Sequence, residues 1–276
     1  MARGGLPLGL TQGLETRCRQ DSPGAPPKSN RAVAVSEPHD QVTRGSINSQ
    51  LLCAWCGPVF VVLFFIALPL ANLLPPPSPH LPAREFADQL ISHRAEFRIG
   101  LMIGLAAIPM YGFMCAALTV QLKRIEGRYS PLSYAQLALG ALAILEVLFP
   151  FFFLLAAAYR PERSAALVQL LSDIALLPFV GAWMTVVFQW IATALVIFQD
   201  KREQPIFPRW AAYLNLWVAV ASVPSSLLQF VHSGPFAWNG VLSFWFAAAA
   251  FGIWIVVMSV LLMQAIKRQA MEEVAG

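Results

Sequence analysis

The sequence predicts an all-α, polytopic integral membrane protein: a six-helix transmembrane bundle with both termini cytoplasmic. Apolar residues make up 57% of the 276-residue chain and charged residues only 12%, with a positive mean hydropathy, which lies outside the composition of soluble globular domains. The apolar residues fall in six unbroken blocks that approach or exceed the roughly 20 residues a helix needs to cross hydrocarbon. These blocks are continuous rather than alternating, which selects helices over a barrel as the way to satisfy the backbone in lipid.

Taken in order, residues 1–50 are rich in Pro, Gly, Ser and mixed charge without apolar periodicity, and are expected to form a disordered polar tail. The first apolar block begins near Leu51 and is full length, so no signal peptide is expected. Because no second Met precedes Met102, a start at a Val codon such as Val33 or Val42 is an alternative. The six spans of the domain 51–268 are read as 52–74, 99–122, 134–159, 174–198, 210–231 and 241–266, followed by a short cytoplasmic tail over 269–276.

Orientation follows from the cations near the span ends. With the N terminus inside, the inner segments hold Arg44, Lys123, Arg124, Arg128, Lys201, Arg202, Arg209, Lys267 and Arg268. The outer ones hold Arg84, Arg94, Arg98, Arg160 and Arg163. Nine against five favours both termini in the cytoplasm. Trp55, Trp210 and Trp238 near span ends fit an interfacial aromatic belt. In the first outer loop Pro82 sits at a helix start, with Phe86, Leu90 and Phe97 on one face and Arg84, Asp88 and Arg94 elsewhere, which predicts a short amphipathic helix on the outer membrane surface. Pro161 opens a similar stretch that runs into the fourth span. Gln89-Leu90-Ile91-Ser92 and Gln169-Leu170-Leu171-Ser172, with Tyr134-Ala135-Gln136-Leu137 and Tyr213-Leu214-Asn215-Leu216, form a faint internal repeat of the kind transporters use, though such short matches arise readily in Leu-rich sequence.

The residue that draws attention is Glu146, at the centre of the third block. In hydrocarbon a carboxyl group must be protonated, hydrogen-bonded, paired with a cation or turned toward a wet cavity. Its own helix offers only Leu142, Ala143, Phe149 and Pro150 at helical spacing, so partners come from other spans. Counting along the helices places Tyr111, Gln189 and Ser222 near the same depth, with Asn215 closer to the cytoplasm. These five residues are the candidate intramembrane polar site. A proton- or cation-binding carboxylate stands beside the plainer alternative of a protonated Glu joining helices through one hydrogen bond.

Other features carry less. Pro69, Pro109, Pro150, Pro178 and Pro224 place a proline in each of the first five spans, where membrane helices tolerate it, and Pro150 lies one turn from Glu146. Trp183 and Trp190, seven apart, share a face that suits a pocket for a small apolar or aromatic ligand, or ordinary packing. Gly100 and Gly104 form a GxxxG helix-contact pattern. His39, His80, His93 and His232 avoid span centres, which disfavours a bis-His haem; His93 and Glu96 at i, i+3 spacing are the one outer metal candidate, and no metal or other cofactor is expected. Cys53-Ala54-Trp55-Cys56-Gly57-Pro58 shares Trp-Cys-Gly-Pro with thioredoxin sites but lacks their second Cys and their βαβ context. Neither a nucleic-acid-binding stripe nor a catalytic fingerprint is present.

The functional expectation is proton- or cation-coupled binding or transport of a small solute, centred on Glu146, in the plasma (inner) membrane. Abundant Ala and the Arg-over-Lys bias point to a bacterial source. The lipid bilayer is the expected surrounding partner. A non-catalytic accessory or scaffold subunit is the alternative, and a membrane-embedded enzyme ranks third.

Overall fold

Helix α1 (Pro38–Leu70) opens the described part of the chain, and its termination shows how local chemistry sets the boundaries. Asn72 takes a left-handed conformation at φ 48°. Leu73 N–H donates to Leu68 O at 2.8 Å and Asn72 N–H to Pro69 O at 3.0 Å, the paired bonds that close a helix end on an Asn or Gly. Pro75, Pro76 and Pro77 then forbid resumption. The first span therefore ends at Leu70, four residues before the sequence expectation.

The structure is a computed structural model that describes residues 38–275, with side chains over 45–273. Residues 1–37 and Gly276 lie outside the described residues, and with them Cys18, Val33 and most of the expected tail, while His39 and Val42 fall in α1. Within the described part α1 begins at Pro38, so 38–50 is helical where a polar tail was expected, and Ile47 and Gln50 are buried.

Short α2 (Ala83–Ser92) follows, then α3 (Arg94–Glu126), α4 (Pro131–Tyr159), α5 (Ala165–Gly181), α6 (Met184–Gln199), α7 (Arg209–Ser222) and α8 (Phe246–Ala275). No strand occurs among the described residues. Six helical segments, in which α5 with α6 forms the fourth, are long and apolar enough to cross a membrane. Around the bundle α1 packs on α3, α3 on α4, α4 on α5 and α6, α6 on α7, α7 on α8, and α8 back on α1. Gly100 allows a close backbone approach between α1 and α3: a methyl group there would lie 2.5 Å from Ala71 N and 2.7 Å from Ala67 O, so the α1 backbone rests on the bare glycine.

Helix ends are closed by side chains from elsewhere. Glu126 accepts from Leu132 N–H at 2.9 Å, Ser133 N–H at 2.8 Å and the Ser133 hydroxyl at 2.7 Å, filling the role of an N-cap for α4. Arg94, at the start of α3, donates to the last-turn carbonyls Ala158 O (2.6 Å) and Tyr159 O of α4. At the opposite end of the bundle Gln121 donates to Gln50 and Gln269, each at 2.7 Å, joining α1, α3 and α8.

Helix α2 forms where expected, but Ala87 and Leu90 are buried and the helix packs on α5, so much of its apolar face is used within the protein. The fourth segment starts at Ala165, confirming that the stretch after Pro161 runs into it, and breaks at Ala182–Trp183. The fifth tightens to 3₁₀ geometry over Val223–Gln229, with Pro224 in its first turn. The sixth begins with a π-helical turn, Val241–Trp245. The buried apolar side chains form two clusters, and Phe64 and Ile144 pack against both.

Candidate functional site

Between the two clusters lies a cavity of about 70 Å³, lined by twenty residues from α1, α3, α4, α5, α6, the π-helical turn and α8. At roughly 10–15 Å³ or more per water, this has room for a handful of waters. Glu146 is on its wall. It sits near the middle of α4, roughly 20 Å from either end at about 1.5 Å per residue. The side chain is half-buried rather than sealed.

Eight of the twenty lining residues are aromatic, among them Phe60, Phe64, Tyr111, Phe179, Trp183 and Phe251. Their rings adjoin: Phe60 lies 5.1 Å from Phe64 and 6.0 Å from Tyr111, while Phe251 lies 5.8 Å from Tyr111 and 5.4 Å from Trp183. Such spacings are those of favourable aromatic pairs. The polar lining is sparse. Beyond Glu146 and Tyr111 it includes the Ser243 hydroxyl, which donates to Phe236 O at 2.9 Å. No Lys, Arg, His or Asp lines the cavity.

Glu146 faces the broken fourth segment. The break leaves unpartnered carbonyls at the end of α5 and unpartnered N–H groups at the start of α6. The Trp183 indole N–H donates to Val180 O, and Gln229 Nε2 to Leu177 O at 3.5 Å. On the α6 side no cap side chain from α6 itself engages the first turn. The Glu146 carboxyl looks instead onto the N–H and hydroxyl of Thr185, in that turn. The Thr185 hydroxyl completes no hydrogen bond.

A comparison within the molecule makes the point sharper. Glu126 is locked by three formed hydrogen bonds at a helix start, whereas Glu146 is turned toward a similar helix start with the adjoining hydroxyl left unpaired. Non-helical backbone within a long apolar segment is tolerated where it is buried in protein or lines a cavity, and both the α5–α6 break and the π-helical turn border this one. The chemistry open to such a site is binding and release of a proton or cation by the carboxylate, beside an aromatic wall.

Of the expected partners, Tyr111 lines the same cavity and donates its hydroxyl to Gln189 Oε1 at 2.7 Å. Gln189, fully buried behind it, donates to Cys115 Sγ at 3.2 Å. Asn215 and Ser222 are not brought to Glu146. Asn215 accepts from the Trp254 indole at 2.9 Å and donates to Ala211 O at 2.7 Å; Ser222 donates to Val218 O at 3.0 Å, one turn back on its own helix. Both have their hydrogen-bonding needs met locally, which removes the reason to turn toward the cavity. Trp183 lines the cavity, while Trp190 is fully buried and packs 5.6 Å from Trp254.

Sequence reasoning missed Thr185, Ser243 and the phenylalanines. Inside a block that is apolar all round, no periodicity marks which phenylalanine faces inward. Thr185 carried a usable signal, since Pro178 and Gly181 just before it mark a weak point in the helix.

Elsewhere, His93 Nδ1 lies 3.2 Å from Glu96 Oε2 with both side chains exposed, and no group of three or more His, Cys, Asp or Glu converges among the described residues. Cys53, Cys56 and Cys115 are free thiols. Comparison of the chain with protein-family models, curated proteins and solved structures finds no match.

Proposed function

We propose that the chain is a multi-pass protein of the plasma (inner) membrane of a bacterium, with both termini cytoplasmic. Its central cavity binds a small apolar or aromatic solute, and Glu146 couples that binding or passage to uptake and release of a proton or cation. Six long apolar segments and the excess of cations at one end support the membrane reading. The observation that carries the coupling is the placement of Glu146: a half-buried carboxyl on the wall of an aromatic cavity, beside a broken helix, with no basic partner on that wall.

Thr185 favours a second reading, in which Glu146 fastens α4 to the first turn of α6 in an accessory subunit that acts through its partners. Dicyclohexylcarbodiimide separates the two. This apolar reagent takes the proton of a carboxylic acid on one nitrogen and bonds the carboxylate oxygen at its central carbon, so it marks groups that are protonated and reachable from an apolar phase. In lipid nanodiscs, peptide mass mapping is expected to find Glu146 modified, while Glu126, engaged in three hydrogen bonds, stays unmodified. Glu146 left unmodified in the folded protein, yet modified after denaturation, supports the structural fastening and overturns the coupling.

A further inference from the structure

We propose that the cavity's ligand is a compact hydrophobic organic cation: a quaternary or protonated tertiary ammonium head on an apolar or aromatic group, with Glu146 as its counter-ion. The inference rests on the reading of Glu146 as an accessible, exchanging carboxyl, and it narrows that reading to one class of ligand.

Charge and wall chemistry together set the class. Glu146 contributes the one formal negative charge on the wall, and no lining residue can contribute a positive one. An anion would find no cation on the wall to pair with, and beside it Glu146 could not release its proton without setting two like charges together in surroundings of low dielectric, where they repel strongly. A sugar or another richly hydroxylated solute would lose its water with few partners in return, because Glu146, Tyr111 and Ser243 are the main polar groups, and the hydroxyls of the last two are already donating elsewhere. A neutral hydrocarbon fits the rings but leaves Glu146 unused.

An organic cation satisfies both parts of the wall. The faces of Phe, Tyr and Trp rings attract cations, most strongly where water is excluded, and aromatic cages are the recurring solution for ammonium groups. Here Phe60, Phe64, Tyr111, Phe179, Trp183 and Phe251 adjoin with ring centroids 5.1 to 6.4 Å apart, so the wall presents a nearly continuous π surface. At about 70 Å³, well below the roughly 150 Å³ that takes a benzene ring, the cavity accepts only a compact head, and the apolar group of the ligand stays at its partly open mouth.

The carboxyl also supplies the exchange. In the empty site the protonated acid is neutral; when the cation enters, that proton leaves to solution and a carboxylate–ammonium pair remains. One proton out and one monovalent cation in conserve the charge of the site. Tyr111 on α3 is the other titratable side chain on the wall, and α1, α5, α6 and α8 present none there. Across the range in which the free protein holds the Glu146 proton, apparent affinity therefore rises about tenfold for each unit of pH.

The test uses radiolabelled benzyltrimethylammonium and its uncharged carbon isostere neopentylbenzene, each measured on nanodiscs carrying the full chain and corrected against empty nanodiscs. The cation is expected to bind more tightly than the isostere. Glu146→Gln should weaken it at least about thirtyfold while leaving the isostere unchanged. Phe251→Leu should weaken it about three- to tenfold. Equal binding of the two probes, indifferent to Glu146→Gln, overturns the cation and leaves a neutral apolar pocket. Binding of neither probe, in protein whose Glu146 reacts with the carbodiimide, also overturns the ligand class while the exchanging carboxyl stands. If Glu146 is unreactive as well, both readings fall together.

Discussion

Tyr111 shows how one buried hydroxyl ties the cavity wall to the layer behind it. Its ring faces the cavity and its oxygen donates to Gln189 Oε1, which no other described donor engages. Tyr111→Phe keeps the ring and strands that acceptor in the core, so a loss of about 1–3 kcal/mol is expected. Thermal unfolding of the purified protein in detergent checks it; a variant as stable as the parent would mean that water replaces the lost donor. At this scale the sequence was partly legible. Glu146 stood out because an ionisable residue in an apolar block has few reasons to be there, and Tyr111 and Gln189 followed from depth alone. Ser222, expected at that depth, and Asn215, expected nearer the cytoplasm, both turn elsewhere, because position along a helix says nothing about its rotation. Rotation is set by packing between helices, which the uniformly apolar blocks do not encode locally.

At the scale of elements, the boundaries were legible where backbone chemistry is strong. Asn72 before three prolines marks the end of α1, and Pro82 marks the start of α2. The prolines inside segments gave a poorer signal. Helices α3 and α4 run through Pro109 and Pro150, whereas α1 ends one residue after Pro69, the fourth segment breaks after Pro178 and the fifth tightens at Pro224. What distinguishes the break is the set of groups around it: the Trp183 indole is local, but the Gln229 amide and the Glu146 carboxyl that face it belong to other segments, which the local sequence cannot place. The Gly100 contact supplies a test at this scale. Gly100→Ala forces the α1 and α3 backbones apart, with an expected cost of about 1–3 kcal/mol. Gly252→Ala is its control, because there an added methyl would meet the Phe65 ring at 3.4 Å, ordinary contact. Equal stability of the two variants would show that α1 can shift freely.

For the whole molecule, the cavity lies where the two packed clusters meet and where two of six segments leave α-helical geometry. Composition and block length made the six apolar segments legible, since those depend on residue type alone. The cavity was not legible, because it arises from α1, α3, α4, α5, α6, the π-helical turn and α8 converging across long sequence separations. The central claim is that Glu146 is a group in exchange with solution rather than a sealed fastening. Infrared difference spectroscopy of the reconstituted protein tests it most directly, reading the Glu146 carboxyl band against a Glu146→Gln control that keeps an acceptor oxygen for the first turn of α6. The account predicts a carboxyl band, absent from the control, that rises and falls with pH steps between about pH 5 and 9. A band fixed across that range, in a control as well folded as the parent, would contradict it.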